Sequence, residues 1–124
     1  MSRPSPRLQS LGLAFGDATC LTVIRRWLRA TIDDQDTLLT AELVCTELVT
    51  NAIEHGGGAG SVRIRITDMQ RVHVEVDDRN PSARLTIGSS RLGPHRGHGL
   101  RMIDSVATWG IVRNTSGKTV WAEF

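Results

Sequence analysis

The chain has 124 residues, of which 40% are hydrophobic and 23% charged, and its formal net charge is +2. This length supports one domain with a single hydrophobic core, in a composition that is ordinary for a soluble globular protein. Because the basic residues are scattered, aromatic residues make up only 4%, and no apolar run approaches the roughly 18 residues that span a membrane, the sequence argues against direct nucleic-acid binding and against a membrane protein.

The N-terminal residues and the cysteines predict the compartment. Residues 1–7 contain two prolines and are expected to form a flexible arm, and no apolar segment follows them that would make a secretory signal. Cys20 and Cys45 are widely spaced in apolar helical patterns, so we interpret them as buried thiols in a reducing compartment. The expected location is the cytoplasm.

The first half of the chain predicts a strand and two helices. Alternating apolar residues predict a strand over 8–15. Asp17 is the expected N-cap of a helix that runs to about Ala30. After a polar break, a second helix runs to about His55, where the glycine-rich segment 56–60 ends it.

The second half predicts a hairpin, a long loop, a helix and a second strand pair. Apolar residues of period two predict antiparallel strands over 61–67 and 72–77, with Arg63, Arg65 and Glu75 facing water. Residues 78–98 lose this periodicity, and a loop of that length in a small domain is usually functional or disordered. A helix and two strands follow, near 99–108, 109–114 and 118–124. The order predicts an α/β two-layer sandwich, a mostly antiparallel sheet with three helices on one face.

Three segments carry residue types suited to a nucleotide site. Glu47 and Asn51 are one helical turn apart, and a carboxylate and an amide at that spacing can hold hydrated Mg²⁺ or orient a nucleophile. Asp77 and Asp78 end a buried strand, a common position for a carboxylate that contacts a ligand. The glycines of segment 96–100 would let backbone N–H groups approach a phosphate at a helix N-terminus. Taken singly, the first segment is better explained as a solvated helix face and the second as a turn, and a lone Gly-x-Gly is not specific to phosphate binding.

Two other patterns are discounted. Residues 116–119 resemble the end of a P-loop, but Val112 stands where a glycine is required, and a strand pattern follows in place of a helix. His95 and His98 have metal-ligand spacing, but no second pair of Cys or His accompanies them.

In their order along the chain, the three segments resemble the motifs of the GHKL (Bergerat-fold) ATPases. Residues 47–55 are similar to the N box, Asp78 stands where the G1 box begins, and residues 97–100 resemble the G2 box. Thr119 stands where the family has a threonine near the adenine. The resemblance covers 8–124 as one histidine-kinase-like ATPase domain, and the small anti-sigma-factor serine kinases are most similar within the superfamily.

The resemblance implies a role for each matching position. Asn51 would coordinate the Mg²⁺ that bridges the ATP phosphates, and Glu47 would be the general base that takes a proton from the attacking hydroxyl. Asp78 would accept a hydrogen bond from the adenine amino group, with Thr119 beside it. From its position at the end of the helix, His55 is expected either to cap the helix C-terminus or to line the site. Residues 82–96 would form a mobile lid, and the glycines of Gly97-His98-Gly99-Leu100 would let this lid and the helix N-terminus wrap the phosphates. Apart from the resemblance, the positive charge of Arg96 just before the glycines suits it to neutralise phosphate charge.

The G1 box departs from the family pattern. Its Asp-x-Gly-x-Gly is here Asp78-Arg79-Asn80-Pro81-Ser82, so both glycines that would permit a positive-φ path are missing. The departure affects the expected ATP affinity and the adenine contacts. Asp77 is an alternative to Asp78 for the adenine contact.

The predicted function is that of a Mg-ATP-dependent protein serine/threonine kinase. By resemblance it would phosphorylate a serine of an anti-sigma-factor antagonist, bind a sigma factor and form homodimers. One alternative is a partner-binding regulator with a degenerate nucleotide site, which the missing G1 glycines favour. The other is the catalytic half of a split histidine kinase, although the sequence has no dimerisation helix with a phosphoacceptor histidine.

Overall fold

The computed structural model describes residues 8–79 and 103–124. The predicted N-terminal arm, the lid, the glycine pair and the beginning of the third helix lie outside these ranges. Residues 103–106 are helical. The remaining elements, in chain order, are β1 (Gln9–Phe15), α1 (Cys20–Thr31), α2 (Gln35–His55), β2 (Gly60–Ile66), β3 (Val72–Asp78), β4 (Thr108–Arg113) and β5 (Lys118–Glu123).

The strands form an open sheet in the order β1-β2-β3-β5-β4, and all its neighbouring pairs are antiparallel. The helices pack on one face, because every second residue of the central strands is apolar and is buried against them. Residues that fill this layer from the sheet and from the helices include Val62, Ile64, Val74, Val76, Ile24, Leu28, Leu48 and Val49. The predicted two-layer α/β sandwich is confirmed.

Helix α2 has a side-chain cap at its N-terminus and glycines at its C-terminus. The backbone N–H of Thr37 donates to the Asp34 carboxylate at 2.9 Å, which satisfies one of the amides that the first turn leaves without a helical partner. Gly56 follows the last residue, and Gly57 and Gly58 have φ values of +94° and +87°. Such φ values suit glycine and stop the helix where the sequence predicted.

The predicted N-cap of α1 is wrong. The helix begins at Cys20 behind Thr19, and Asp17 instead accepts a hydrogen bond from the Thr19 backbone N–H at 2.9 Å. Asp17 thus stabilises a turn before the helix, a local bond that aspartate side chains also form outside helices. The sequence pattern does not distinguish these two uses of the same residue.

Both cysteines are buried and free, as predicted. Burial in the core raises the pKa of Cys45 to about 12, and burial also raises the pKa of Cys20. These thiols therefore stay protonated at neutral pH and act as small apolar side chains. None of the helices in the described ranges is long and apolar enough to cross a membrane.

The other face of the sheet carries a network of ion pairs. Arg63 bonds the carboxylates of Glu75 and Asp77, the latter at 2.9 Å. The His73 ring lies 2.8 Å from Glu75 and 2.8 Å from Glu123. The expectation that Arg63, Arg65 and Glu75 face away from the core is confirmed.

We expect Glu75→Gln to flatten the loss of stability in acid. The hydrogen bond from Arg63 holds the pKa of Glu75 below its ordinary value. A carboxylate with a lowered folded-state pKa stabilises the fold above its unfolded pKa of about 4.3, and this contribution is lost as the pH falls through the folded pKa. Since the pair is partly exposed, the effect should be at most about 1 kcal/mol. Urea unfolding at a series of pH values below about 5 measures it.

The matched control is Asp68→Asn, which removes the same charge from an exposed position in the β2–β3 link. An unchanged acid dependence in Glu75→Gln, or an equal change in the control, would contradict the assignment to the Arg63–Glu75 pair.

Candidate active site

The two aspartates at the end of β3 lie on opposite faces of the sheet. Asp78 is 6% exposed and faces the helices, whereas Asp77 faces the ion-pair network, where it bonds Arg63 and Ser61. Successive residues of a strand point to opposite faces, so only one of the two can face α2. The sequence left Asp77 and Asp78 as candidates for a carboxylate that contacts a ligand. The structure places Asp78 beside α2 and Asp77 on the outer face.

A buried lysine accompanies Asp78. In the antiparallel register Asp78 pairs with Lys118, and the Lys118 ammonium forms an ion pair with Asp78 Oδ2. The two side chains are only 3% (Asp78) and 4% (Lys118) exposed. Lysine is rarely buried unless it is paired, so this contact explains how a charged residue can occupy the core side of β5. The sequence analysis did not identify Lys118 as a site residue.

Two glycines enclose Asp78. A Cβ atom on Gly56 would lie 2.5 Å from Asp78 Oδ2, and a Cβ atom on Gly117 would lie 1.9 Å from the Asp78 carbonyl oxygen. Both distances are too short for any side chain, so each backbone approaches Asp78 as closely as it does because the residue is glycine. Gly56 was predicted only as a helix stop, and its sequence position carries no signal of this long-range contact.

Asp78 and Lys118 share a narrow cavity with polar residues of α2. The cavity volume is about 10 Å³, the space of about one water molecule. Its apolar lining comes from both layers: Leu48 and Ala52 of α2, and Val76 and Val120 of the sheet. Its polar lining includes Asn51 and His55, which the sequence predicted as site residues.

Asn51 is a buried amide with an unsatisfied donor. The residue is 6% exposed, and its Nδ2 atom has no hydrogen-bond partner among the described residues. A buried donor without a partner is costly, so an acceptor atom that reached the Asn51 amide would be stabilised there. Glu47 lies one turn earlier on α2 and is half-buried, but it is not among the residues that line the cavity.

Thr119 is not brought to this cavity. Its hydroxyl donates to Asp77 on the outer face, so the strand alternation that places Lys118 beside Asp78 places Thr119 beside Asp77. Residues 118–123 form a strand behind the 114–117 turn, which confirms that the sequence around Lys118 is not a P-loop. Five further predicted site residues lie outside the described ranges: Arg96, Gly97, His98, Gly99 and Leu100.

The fold is an open antiparallel sheet with helices on one face, and its cavity lies between α2 and the sheet. The chain matches the family model of the histidine kinase-like ATPase domain over residues 18–124. The protein therefore belongs to the histidine kinase-like ATPase family, and the predicted GHKL relationship is confirmed.

A solved structure shares this fold. The crystal structure of the RsbU and RsbW domains of Rv1364c from Mycobacterium tuberculosis is similar with a TM-score of 0.61 and 21% sequence identity. The alignment covers 91% of this chain and 32% of that chain, so the protein spans about a third of the length of its structural relative. The search of the curated proteins found no match.

We expect the Lys118–Asp78 pair to show strong thermodynamic coupling. Removing one partner breaks the ion pair while the other side chain stays buried, so Lys118→Met or Asp78→Asn alone should lower the free energy of unfolding by about 3–5 kcal/mol. The double variant should lose clearly less than the sum of the two, because no buried charge remains. Urea unfolding of the four proteins measures the coupling. Strictly additive losses would show that the two groups do not interact.

Proposed function

We propose that this protein is a Mg-ATP-dependent protein serine/threonine kinase of the anti-sigma-factor type. Its substrate would be a serine on an anti-sigma-factor antagonist, and its second partner a sigma factor. The observation that carries the proposal is the buried Asn51 amide, which faces the same cavity as the buried Asp78 carboxylate and follows Glu47 by one turn.

The residues present fit a nucleotide and its metal. The unsatisfied Nδ2 donor of Asn51 suits a phosphate oxygen, and an amide oxygen is a ligand that Mg²⁺ accepts. The Asp78 carboxylate suits an amino group of a purine base. When bound, Mg²⁺ would neutralise charge on the phosphates during transfer.

Within this site Glu47 would act on the protein substrate. Its carboxylate would accept the proton of the serine hydroxyl as that oxygen bonds to the γ-phosphorus, while the bond from the γ-phosphorus to its bridging oxygen breaks and ADP leaves. A residue on a long helix that is capped at its start and packed against the sheet is held in position for this transfer. The protein thus contributes mainly position and electrostatics, as phosphoryl transfer requires.

Two findings support the choice of this reaction within the family. The family model is that of an ATPase domain, and the structural relative contains an RsbW domain. The serine specificity rests on the resemblance of residues 47–55 to the anti-sigma-factor kinases. Phosphorylation would add negative charge at the interface with the antagonist and release it, so that the kinase could return to the sigma factor. We further propose a cytoplasmic homodimer.

The test uses [γ-³²P]ATP, Mg²⁺ and a panel of purified anti-sigma-factor antagonists. Glu47→Gln should reduce phosphoserine formation by about 10²–10⁴-fold, since it removes a general base. It should leave the ATP dissociation constant within a few-fold, whereas Asn51→Ala should weaken both ATP binding and transfer. Glu42→Gln is the matched control, because Glu42 is on the same helix but pairs with Arg29.

Each alternative gives a distinct result. ATP binding without label on any antagonist would favour a non-catalytic, partner-binding regulator. Label on a histidine would identify a split histidine kinase. The absence of calorimetric binding at millimolar ATP would refute the nucleotide site itself.

A further inference from the structure

The buried ammonium of Lys118 has more N–H donors than there are acceptors bonded to it among the described residues. An ammonium carries three N–H groups, and among the described residues Asp78 is its one hydrogen-bond acceptor. The side chain borders the cavity that also receives the unsatisfied Asn51 amide. The polar floor of the cavity, formed by Asp78, Lys118 and Asn51, therefore contains a carboxylate acceptor together with N–H donors that have no acceptor among the described residues.

The ion pair should persist when a ligand enters. Separating Lys118 from Asp78 would break an ion pair whose two side chains are almost fully buried, which is strongly unfavourable. The amino group of a base is a neutral donor, and its bond to a carboxylate is weaker than that of an ammonium. A ligand at this position must therefore contact the pair as a unit.

We propose that Lys118 determines the base specificity of this site. Because of Lys118, the site accepts purine nucleotides with a carbonyl group at position 6 as well as those with an amino group at position 6. The inference rests on the proposed function, because it assumes that a nucleotide base reaches the Asp78 cavity.

The two kinds of purine present opposite hydrogen-bonding edges. Adenine offers a donor at the 6-amino group and an acceptor at N1, whereas hypoxanthine offers an acceptor at the 6-carbonyl and a donor at N1. A lone carboxylate only accepts and would face the carbonyl oxygen with like partial charge. Asp78 with Lys118 presents an acceptor beside a donor, so the pair complements either edge, and discrimination between them should be small.

The experiment compares ATP with inosine triphosphate, because adenine and hypoxanthine differ only at this edge. Dissociation constants of the full chain are measured by calorimetry and by competition with a fluorescent nucleotide. In the wild type we expect the two constants to agree within about tenfold. In Lys118→Met the inosine nucleotide should lose at least about tenfold more affinity than ATP, since its carbonyl then lacks the Lys118 donor and faces the Asp78 carboxylate.

Arg71→Met is the control for the loss of one positive charge. Arg71 is exposed and precedes β3, at the opposite end of that strand from Asp78, so its removal should leave the ratio of the two constants unchanged.

The wild-type ratio tests the proposal even where Lys118→Met does not fold. A preference for ATP above about tenfold in the wild type, or an unchanged ratio in folded Lys118→Met, overturns this inference and leaves the proposed function standing. Failure of both nucleotides to bind overturns the proposed function and this inference together.

Discussion

The register between β3 and β5 is the constraint on which the arrangement of the candidate site depends. It pairs Asp78 with Lys118 and Asp77 with Thr119, and the pleat sends the two pairs to opposite faces of the sheet. One aspartate thereby enters the core beside α2, and its neighbour joins the arginines of the outer face. A slip of one residue would exchange the two faces completely, burying Thr119 and exposing the lysine.

The secondary structure could be predicted because both periodicities in the sequence are unambiguous. The strict alternation of apolar residues predicted β2, β3 and their antiparallel pairing. The helical pattern that ends at the glycines after His55 predicted α2. The start of α1 could not be predicted as well, because Asp17 can bond to the backbone of a turn as readily as it can cap a helix.

The candidate site was predictable on the helix and less so on the strands. Asn51 follows from spacing along α2, but the choice between Asp77 and Asp78 depends on which face of β3 is buried. Thr119 fits the family pattern in position along the chain, yet its neighbour faces the cavity. Lysine is usually exposed, so no sequence rule indicated that Lys118 would be buried; its partner lies on another strand and becomes visible only in the sheet.

The ion pair at the cavity has no net charge, so it does not repel an anionic nucleotide whose base contacts it. A single buried carboxylate would repel the phosphates of a nucleotide through a medium that screens charge poorly. Lys118 cancels the charge of Asp78, and Asn51 adds a neutral donor, so an anion that enters meets dipoles and N–H groups rather than a net negative charge. The outer-face pair of Asp77 with Arg63 is exposed enough for salt to weaken it, whereas the Asp78 pair is shielded from salt. The same residue type therefore gives a screened surface network on one side of the sheet and a buried, neutral ion pair on the other.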